Sequence, residues 1–211
     1  MSSFPSTFAV ATKPLSSAEF AACDRLLIKQ LADKGYEVHP GLTREFANTI
    51  SRMCLQPSIK EYCPNDSGKR FADRAAAQHW LAKGRGVFLL LKRLENGRLE
   101  LVGYGWAGKA SSSQVPNGQT TFALRIGEAG QGQGLAAPFA RLIVAAAAKL
   151  YGAQDLWLET WGSNGGAVHV YHKIGFQTVA EQPGQRPTPG GSTVADTRVY
   201  MSLPNGRLLS E

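Results

Sequence analysis

The sequence has few cysteines and no long uninterrupted apolar run. The chain has three cysteines, Cys23, Cys54 and Cys63. An odd number without a Cys-x-x-Cys pair argues against a disulfide framework and against a zinc knuckle. No run of about 18 apolar residues occurs, so no membrane-spanning helix is expected. Residues 1–17 lack a basic patch followed by an apolar segment, so no secretory signal is expected. We therefore expect a cytoplasmic protein with reduced thiols and no metal.

Acidic residues are scarce relative to basic ones, and the formal charge is +7. Between Lys60 and Arg98, nine basic residues stand against four acidic ones, so most of the excess lies there. Such a face suits an anionic partner such as nucleic acid, a phosphorylated cofactor or an acidic protein. No arginine-rich run and no alternation of aromatic with basic residues occurs there. A solvated surface is therefore preferred, and nucleic acid is allowed but not favoured.

The spacing of apolar residues changes from helical to alternating at Gly86. Ser16 and Glu19 form a helix-start pattern, and Asn96-Gly97 predicts a hairpin turn. Helices are predicted from Ser16 to the stop at Gly35 and over residues 43–55, 71–83, 135–151 and 167–173. Strands are predicted over residues 86–94, 98–109, 120–127, 155–161, 177–181 and 196–203. Loops are predicted over residues 63–68, 110–119 and 182–193.

No internal repeat or break in composition divides the 211 residues. We expect an extended lead over residues 1–15 and a single domain over residues 16–211. Within that domain, residues 16–85 form a helical segment and residues 86–203 a sheet-rich core. The order of elements predicts a mixed α/β (α+β) fold with a parallel crossover in the middle.

A glycine-rich loop joins a predicted strand to a predicted helix in the segment GEAGQGQGLAAPFARL, residues 127–142. Gly130, Gly132 and Gly134 lack the Cβ atoms that would keep a ligand away from the backbone. The amides of residues 132–136 are the unpaired donors at the helix start, and the helix dipole adds to their attraction for an anion. The loop therefore predicts a site suited to a pyrophosphate.

Other interpretations of this loop compete. A tight surface turn that binds nothing is one. A dinucleotide-binding fingerprint is another, but Leu135 stands where that fingerprint has a third glycine, and the acidic Glu159 lies somewhat far beyond Gly134. A kinase-type phosphate loop is excluded, because no Gly-Lys-Ser/Thr occurs there.

A further interpretation rests on two motifs. The sequence QGQGLA, residues 131–136, resembles the acyl-CoA signature of the GCN5-related N-acetyltransferase (GNAT) superfamily. Downstream, Asn164, Tyr171 and Gly175-Phe176 resemble the second motif of that family at its usual spacing. Two motifs in the right order are more specific than either alone, and the resemblance covers residues 86–203.

The resemblance implies a largely antiparallel central sheet with flanking helices and a splayed parallel pair of strands. Acetyl-CoA, the implied co-substrate, would lie where the 120–127 and 155–161 strands part, in an acyl-CoA-binding core over residues 86–203. Its pyrophosphate would bind the loop amides, and its pantetheine arm would pair with strand backbone as peptides do in β-augmentation. The implied cofactor-binding residues are Leu124, Ile126, Gln131, Gly132, Gln133, Gly134, Leu135, Ala136 and Asn164.

The resemblance also implies two catalytic residues. Tyr171 is the candidate general acid, because a phenol of pKa about 10 is protonated at neutral pH and can give its proton to a thiolate. The 120–127 strand carries no acid, so the candidate general base is Glu159 on the next strand, with Glu128 as the other local carboxylate. Glu159 is either partly desolvated between two tryptophans or a solvated surface residue.

The implied function is transfer of an acetyl group from acetyl-CoA to a primary amine by direct attack on the thioester. One alternative is a non-catalytic CoA-binding or protein-interaction module on the same fold. Another is an acyltransferase for an RNA-linked amine, suggested by the basic stretch. The identity of the acceptor is expected to depend on residues 57–83 and on the 182–193 loop. The expected partners are acetyl-CoA and an amine substrate, and no membrane association is expected. The protein is expected to be a monomer or a homodimer.

Overall fold

A computed structural model describes residues 15–42, 44–81, 84–109, 120–152 and 155–204. Its helices are α1 (Ser17–Ala21), α2 (Arg25–Ala32), α3 (Arg44–Met53), α4 (Pro57–Tyr62), α5 (Arg74–Leu81), α6 (Ala136–Tyr151) and α7 (Gly165–Ile174), with a π-helical turn at Asp66–Arg70 and a 3-10 turn at Glu128–Gly130. Its strands are β1 (Tyr36–Pro40), β2 (Gly86–Arg93), β3 (Leu99–Lys109), β4 (Thr120–Ile126), β5 (Leu156–Trp161), β6 (Gln177–Pro187) and β7 (Thr193–Leu203). Residues 1–14 of the expected lead and the predicted 110–119 loop lie outside the described residues.

The strands form one seven-stranded sheet in the order β1-β2-β3-β4-β5-β7-β6. Every neighbouring pair is antiparallel except β4 and β5, which are parallel. The predicted fold class, a mixed and largely antiparallel sheet with flanking helices, is therefore confirmed. No helix among the described residues combines the length and apolarity needed to cross a membrane.

The parallel pair β4–β5 is paired over a very short length. Only Thr120 with Leu156 and Thr121 with Trp157 are in register. Beyond them β4 continues along β3 as far as Ile126, whereas β5 pairs on its other side with β7. The two strands therefore part, and one edge of β4 is left without a strand partner in the described sheet.

Side chains of β4 alternate between two apolar clusters on opposite faces of the sheet. Phe122 and Leu124 pack with α6 and α7 in one cluster. Ala123 packs against the other, which holds Trp80 and Trp106 beneath α3–α5. The gap between β4 and β5 is therefore bordered by α6 and α7 on one face and by α3–α5 on the other.

The predicted helix from Ser16 to Gly35 is two helices, which corrects the sequence-based expectation. Ser16 and Glu19 form the predicted capping box, with Glu19 N donating to Ser16 Oγ at 3.2 Å and Ser16 N to Glu19 Oε2 at 2.8 Å. Asp24 then starts α2, because its Oδ1 accepts from Leu27 N at 3.0 Å. A side-chain cap of this kind satisfies an amide that a continuous helix would have used otherwise.

Two elements of the first 85 residues were missed. The helix predicted over residues 43–55 does end before Pro57, as α3, but Pro57 also stands at the first position of a further helix, α4, where its absent N–H breaks no helical bond. Strand β1 follows Gly35, whose φ of +80° turns the chain. β1 exists because it pairs with β2 from Tyr36–Lys92 to Pro40–Phe88. That pairing is tertiary, so local periodicity did not indicate it.

The predicted loop over residues 182–193 is mostly strand, which is a second correction. β6 runs on to Pro187 and β7 begins at Thr193, and the two pair from one end to the other apart from a bulge after Thr178. Pro183 and Pro187 are tolerated because β6 is the edge strand, where a missing N–H costs no ladder bond on the solvent side.

Replacing Gly105 with Ala is expected to destabilise the fold. A Cβ on Gly105 would lie 2.5 Å from Ile143 Cδ1 and 2.8 Å from the Ala123 carbonyl oxygen, and the second atom belongs to a paired strand that cannot move away. Overpacking of this kind costs about 1–3 kcal/mol. The measurement is urea unfolding of both proteins. Gly68→Ala is the control, since a Cβ there meets nothing within 4 Å. A Gly105→Ala protein as stable as its parent would contradict the packing described.

Candidate active site

The loop before α6 presents unpaired backbone donors. Gly132 and Gly134 have φ of +73° and +67°, a conformation that side chains disfavour. Leu135 is the N-cap of α6 and gives no side-chain cap. The N–H groups of residues 132–136 donate to no acceptor in the described part of the chain. This is the arrangement that binds phosphate groups at helix N-termini.

Gly130 has a different role from the one expected. A Cβ there would lie 3.0 Å from Ile126 Cγ2 and 3.3 Å from the Val102 carbonyl oxygen. Gly130 therefore lets the loop pack on β3 and β4. Gly132 and Gly134 meet no such crowding, so the backbone turn itself requires them.

The two glutamines of the loop fix its shape. Gln131 Nε2 donates to Ser58 Oγ and to the Ile126 carbonyl oxygen, each at 3.1 Å. Gln133 Nε2 donates to the Ala129 carbonyl oxygen at 2.6 Å, and Gln133 Oε1 accepts from the Tyr36 hydroxyl. Both side chains therefore hold the loop to neighbouring elements, and their amide groups are engaged before any ligand arrives.

Lys34 lies beside this loop and was missed by the sequence reasoning. Its Nζ is 3.8 Å from the position that a Cβ would take on Gly134. The residue follows α2, which packs on α6. A cation at this place adds to the attraction of the loop for an anion. Nothing local in the sequence indicates it, because the two residues meet only through helix packing.

A cavity of about 880 Å³ connects the loop, the gap between β4 and β5, and the opposite face of the sheet. Its size is typical of small-molecule sites. Among the predicted cofactor-binding residues, Gln133 is the one that does not line it. The predicted residues that do are Leu124, Ile126, Gln131, Gly132, Gly134, Leu135, Ala136, Glu159, Asn164 and Tyr171.

Tyr171 borders the cavity from α7 and is only 6% exposed. Its ring lies edge-on to Phe122, with centroids 6.0 Å apart. Desolvation by burial raises the pKa of the Tyr171 hydroxyl to about 12, and the nearby Arg125 guanidinium opposes this shift. No hydrogen bond joins the hydroxyl to another described residue. Its proton is therefore retained at neutral pH and is free for transfer into the cavity.

Asn164 is placed at the start of α7. Its Oδ1 accepts from Ala167 N at 3.3 Å and caps the helix. Its amide nitrogen donates to no described residue, and the side chain lines the cavity. The cap orients the side chain so that a donor is left for a ligand.

Glu159 lies on the face of the sheet opposite Tyr171. It shares that face of β5 with Trp161, as alternation predicts, and its side chain is 38% exposed. Its Oε1 is 4.0 Å from Arg198 Nη1. These observations support the solvated interpretation of Glu159. Glu128 does not line the cavity, and its Oε1 accepts from Ser58 Oγ at 3.2 Å.

The backbone expected to bind pantetheine is partly engaged. The Leu124 carbonyl oxygen accepts from Arg125 Nη1 at 2.8 Å, and the Ile126 carbonyl oxygen accepts from Gln131. A carbonyl oxygen has two lone pairs, so each can accept a second hydrogen bond. A ligand pairing here would share these acceptors with the protein.

A buried ionic network on the Glu159 side of the sheet was also missed. Asp66 is fully buried, and its carboxylate accepts from Arg70 Nη1 at 2.7 Å, Arg125 Nε at 2.8 Å and the Tyr104 hydroxyl at 3.0 Å. Burial, with the Asp66 charge added, raises the pKa of Tyr104 well above its usual value. The sequence placed Asp66 in a turn-rich loop, whereas it begins a π-helical turn.

The comparisons with known proteins agree with this geometry. The family model described as an acetyltransferase (GNAT) domain matches residues 41–177. The chain belongs to the GNAT acetyltransferase family. The family resemblance and the acetyltransferase class expected from it are thereby confirmed. A search of curated proteins gave no match.

Solved structures share the fold at low sequence identity. A Vibrio cholerae spermidine N-acetyltransferase in complex with CoA and spermine is 16% identical, with a TM-score of 0.61 over 81% of this chain and 96% of that one. The yncA protein of Salmonella typhimurium with its cofactor acetyl-CoA is 17% identical, with a TM-score of 0.63 over 83% and 98%. A GCN5-related N-acetyltransferase from Kribbella flavida is 14% identical, with a TM-score of 0.58 over 82% and 99%.

The pKa of Tyr171 predicts a measurable dependence of stability on pH. The pKa is about 12 in the fold and about 10 in an unfolded chain. The folded state therefore binds the Tyr171 proton more tightly than the unfolded chain does. The resulting stabilisation is fully present below the pKa of the unfolded chain, and it is lost as the pH rises through the pKa of the folded protein. Over that window, Tyr171→Phe should make the fall in unfolding free energy shallower by up to about 1.4 kcal/mol per pH unit.

The measurement is denaturant unfolding at a series of alkaline pH values. Tyr62→Phe is the matched control, since the Tyr62 hydroxyl lies at the exposed end of the cavity, 3.4 Å from the Ser163 carbonyl oxygen. Equal slopes for the parent and the Tyr171→Phe protein would show that Tyr171 is not desolvated as described.

Proposed function

We propose that this GNAT protein transfers an acetyl group from acetyl-CoA to a primary amine by direct attack on the thioester. One observation carries the proposal: a single cavity passes through the β4–β5 gap and has anion-binding amides and Tyr171 on one side and Glu159 on the other. Two reactants can therefore meet in the gap from opposite faces of the sheet.

The chain's own residues fit acetyl-CoA. The uncapped α6 N-terminus and Lys34 would hold the pyrophosphate, because together they offer several N–H donors and a cation. The Asn164 amide and the free edge of β4 would bind the pantetheine arm, as an extended peptide binds a sheet edge. The cofactor supplies the acetyl group as a thioester.

The catalytic steps are assigned to two side chains and the strand backbone. Glu159 removes a proton from the acceptor ammonium, and the free amine forms the new carbon–nitrogen bond. A β4 backbone N–H donates to the carbonyl oxygen as that oxygen gains negative charge. Tyr171 gives its proton to sulfur as the carbon–sulfur bond breaks. The nitrogen then loses its surplus proton, which restores the Tyr171 phenol, and the products are the amide and the CoA thiol.

We also propose that residues 16–85 and 86–203 work as one domain, with the first as the acceptor side and the second as the acyl-CoA-binding core. β1 from the first segment pairs with β2 from the second, so both contribute to one sheet. The 182–193 segment, expected to contribute to the acceptor side as a loop, is mostly strand, and Pro187 within it lines the cavity.

The alternatives receive less support. Glu159 in the cavity supplies the carboxylate that β4 lacks, which weakens the case for a non-catalytic module. The basic stretch considered for RNA does not form one face. Arg70 and Arg85 line the cavity, whereas Arg93 pairs with Glu37 at the β1–β2 edge.

Replacing Gly134 is expected to weaken acetyl-CoA binding. Gly134→Val forces a branched side chain into a φ of +67° and places it beside Lys34 at the loop amides. The dissociation constant, measured by calorimetry, should rise by about 10²-fold or more.

Gly41→Val is the control, because Gly41 has a φ of +88° and open space around it but does not line the cavity. It carries similar backbone strain and should retain binding. Failure of the parent protein to bind acetyl-CoA or CoA would exclude the proposed function.

Replacing Tyr171 with Phe is expected to lower kcat by about 10²-fold or more while the affinity for acetyl-CoA changes little. The phenol is the proton donor, and its ring contact with Phe122 is kept by Phe. Thiol release from acetyl-CoA with a reactive amine gives kcat, and calorimetry gives the affinity. An unchanged kcat would remove Tyr171 from the mechanism, and no thiol release with any amine would favour the non-catalytic module.

A further inference from the structure

The acceptor side of the cavity is strongly cationic. Its lining includes four arginines, Arg70, Arg85, Arg125 and Arg198, and in the described part of the chain Glu159 is the only acid that lines it. Arg198 Nη1 lies 4.0 Å from Glu159 Oε1, and the charges of these two side chains therefore largely cancel. The other three arginines surround the aromatic wall formed by Trp80 and Trp106.

Arg70 and Arg125 share one carboxylate. Their guanidinium carbons lie 5.4 and 5.0 Å from the ring centroid of Trp106, and both donate to Asp66. Two cations against one buried anion leave one positive charge in excess. The Arg70 side chain is 32% exposed, so part of its donor fork faces the cavity.

Arg85 adds a second uncompensated charge. It lies over Trp80 at 4.6 Å from the ring centroid and donates to the carbonyl oxygens of Trp80 at 3.2 Å and Lys109 at 3.4 Å. It forms no ion pair within the described chain. Burial and the nearby charge of Arg70 lower the pKa of Arg85.

These arginines lie close to the point of attack. Trp106 pairs across the sheet with Ala123 on β4, two positions beyond Thr121, where β4 and β5 cease to pair. Thr121 and Ala123 line the same cavity. A group bound by Arg70 and Arg85 is therefore adjacent to the gap in which the amine must meet the thioester.

We propose that the acceptor is a small amine that carries an oxyanion, namely a carboxylate or a phosphonate, held by Arg70 and Arg85 beside Trp106. The inference rests on the proposed acetyl transfer and names its substrate class. Guanidinium groups bind planar and tetrahedral oxyanions with charge-assisted hydrogen bonds, and a carboxylate here would offset one of the two excess charges and a dianionic phosphonate both.

A polyamine acceptor is disfavoured by the same charges. A structurally similar protein, from Vibrio cholerae, is solved with CoA and spermine. A polyamine entering this cavity would bring several ammonium groups against four arginines and one lining carboxylate. Like-charge contacts of this kind are a strong source of discrimination between ligands.

Thiol release from acetyl-CoA should be measured over matched pairs of amines. Each free amino acid is compared with its α-amide and each aminoalkylphosphonate with the plain alkylamine, and spermidine is included. We expect at least one oxyanion class to show a kcat/KM about tenfold or more above its uncharged match. The carboxylate and phosphonate arms distinguish the two oxyanions. Equal or faster turnover of the uncharged amines or of spermidine would overturn the proposal and leave acetyl transfer intact.

If no amine in the panel is turned over, binding decides. Calorimetry with CoA-saturated protein should then detect the oxyanion members and not their uncharged matches. Absence of such a difference would overturn the acceptor proposal. Absence of CoA binding would instead overturn the proposed function.

Arg85→Gln tests the site directly. With the preferred oxyanion amine, KM should rise by about tenfold or more while kcat changes less, and KM for the uncharged match should not rise. The affinity for acetyl-CoA serves as the folding check and should be unchanged. Arg98→Gln is the matched control, since Arg98 is exposed in the β2–β3 hairpin and does not line the cavity. An unchanged KM in Arg85→Gln would exclude Arg85 from acceptor binding.

Discussion

The separation of β4 from β5 is the feature on which the rest of the structure depends. A sheet normally satisfies the backbone of a central strand on both edges, but here the parallel ladder ends after two registered pairs. The edge of β4 that is released borders a cavity passing through the middle of the protein. Both sides of the sheet thereby reach one gap, which is what a reaction between two separately bound molecules requires.

Strand alternation then gives the two mouths of the gap different chemistry. On the α6 side, apolar residues such as Phe122 enclose Tyr171 and desolvate its hydroxyl. On the opposite side, Arg125 points to a buried carboxylate, Asp66, that is shared with Arg70. Because adjacent residues of β4 face opposite ways, a single strand separates the Tyr171 phenol from the cluster of arginines around Trp106.

The fold was predictable where local chemistry decides an element. The capping box at Ser16, the hairpin at Asn96-Gly97 and the loop before α6 each depend on residues a few positions apart. The misses have one physical cause. β1 and the long β6–β7 ladder are strands because a neighbouring strand satisfies their backbone, and turn-forming residues such as Pro183 are tolerated only at the sheet edge.

For the site, the sequence by itself determined the glycine-rich loop before α6, because glycines at positive φ and an uncapped helix start are local properties of the backbone. It also indicated Tyr171 and Asn164 through their spacing on α7. Only the tertiary structure decided what surrounds them. Lys34 reaches Gly134 through helix packing, and Arg85 is held in the cavity wall by Trp80 of α5 and the Lys109 carbonyl oxygen of β3. Charges far apart in sequence act together only after folding, so the cationic character of this side of the cavity could not be predicted from their order along the chain.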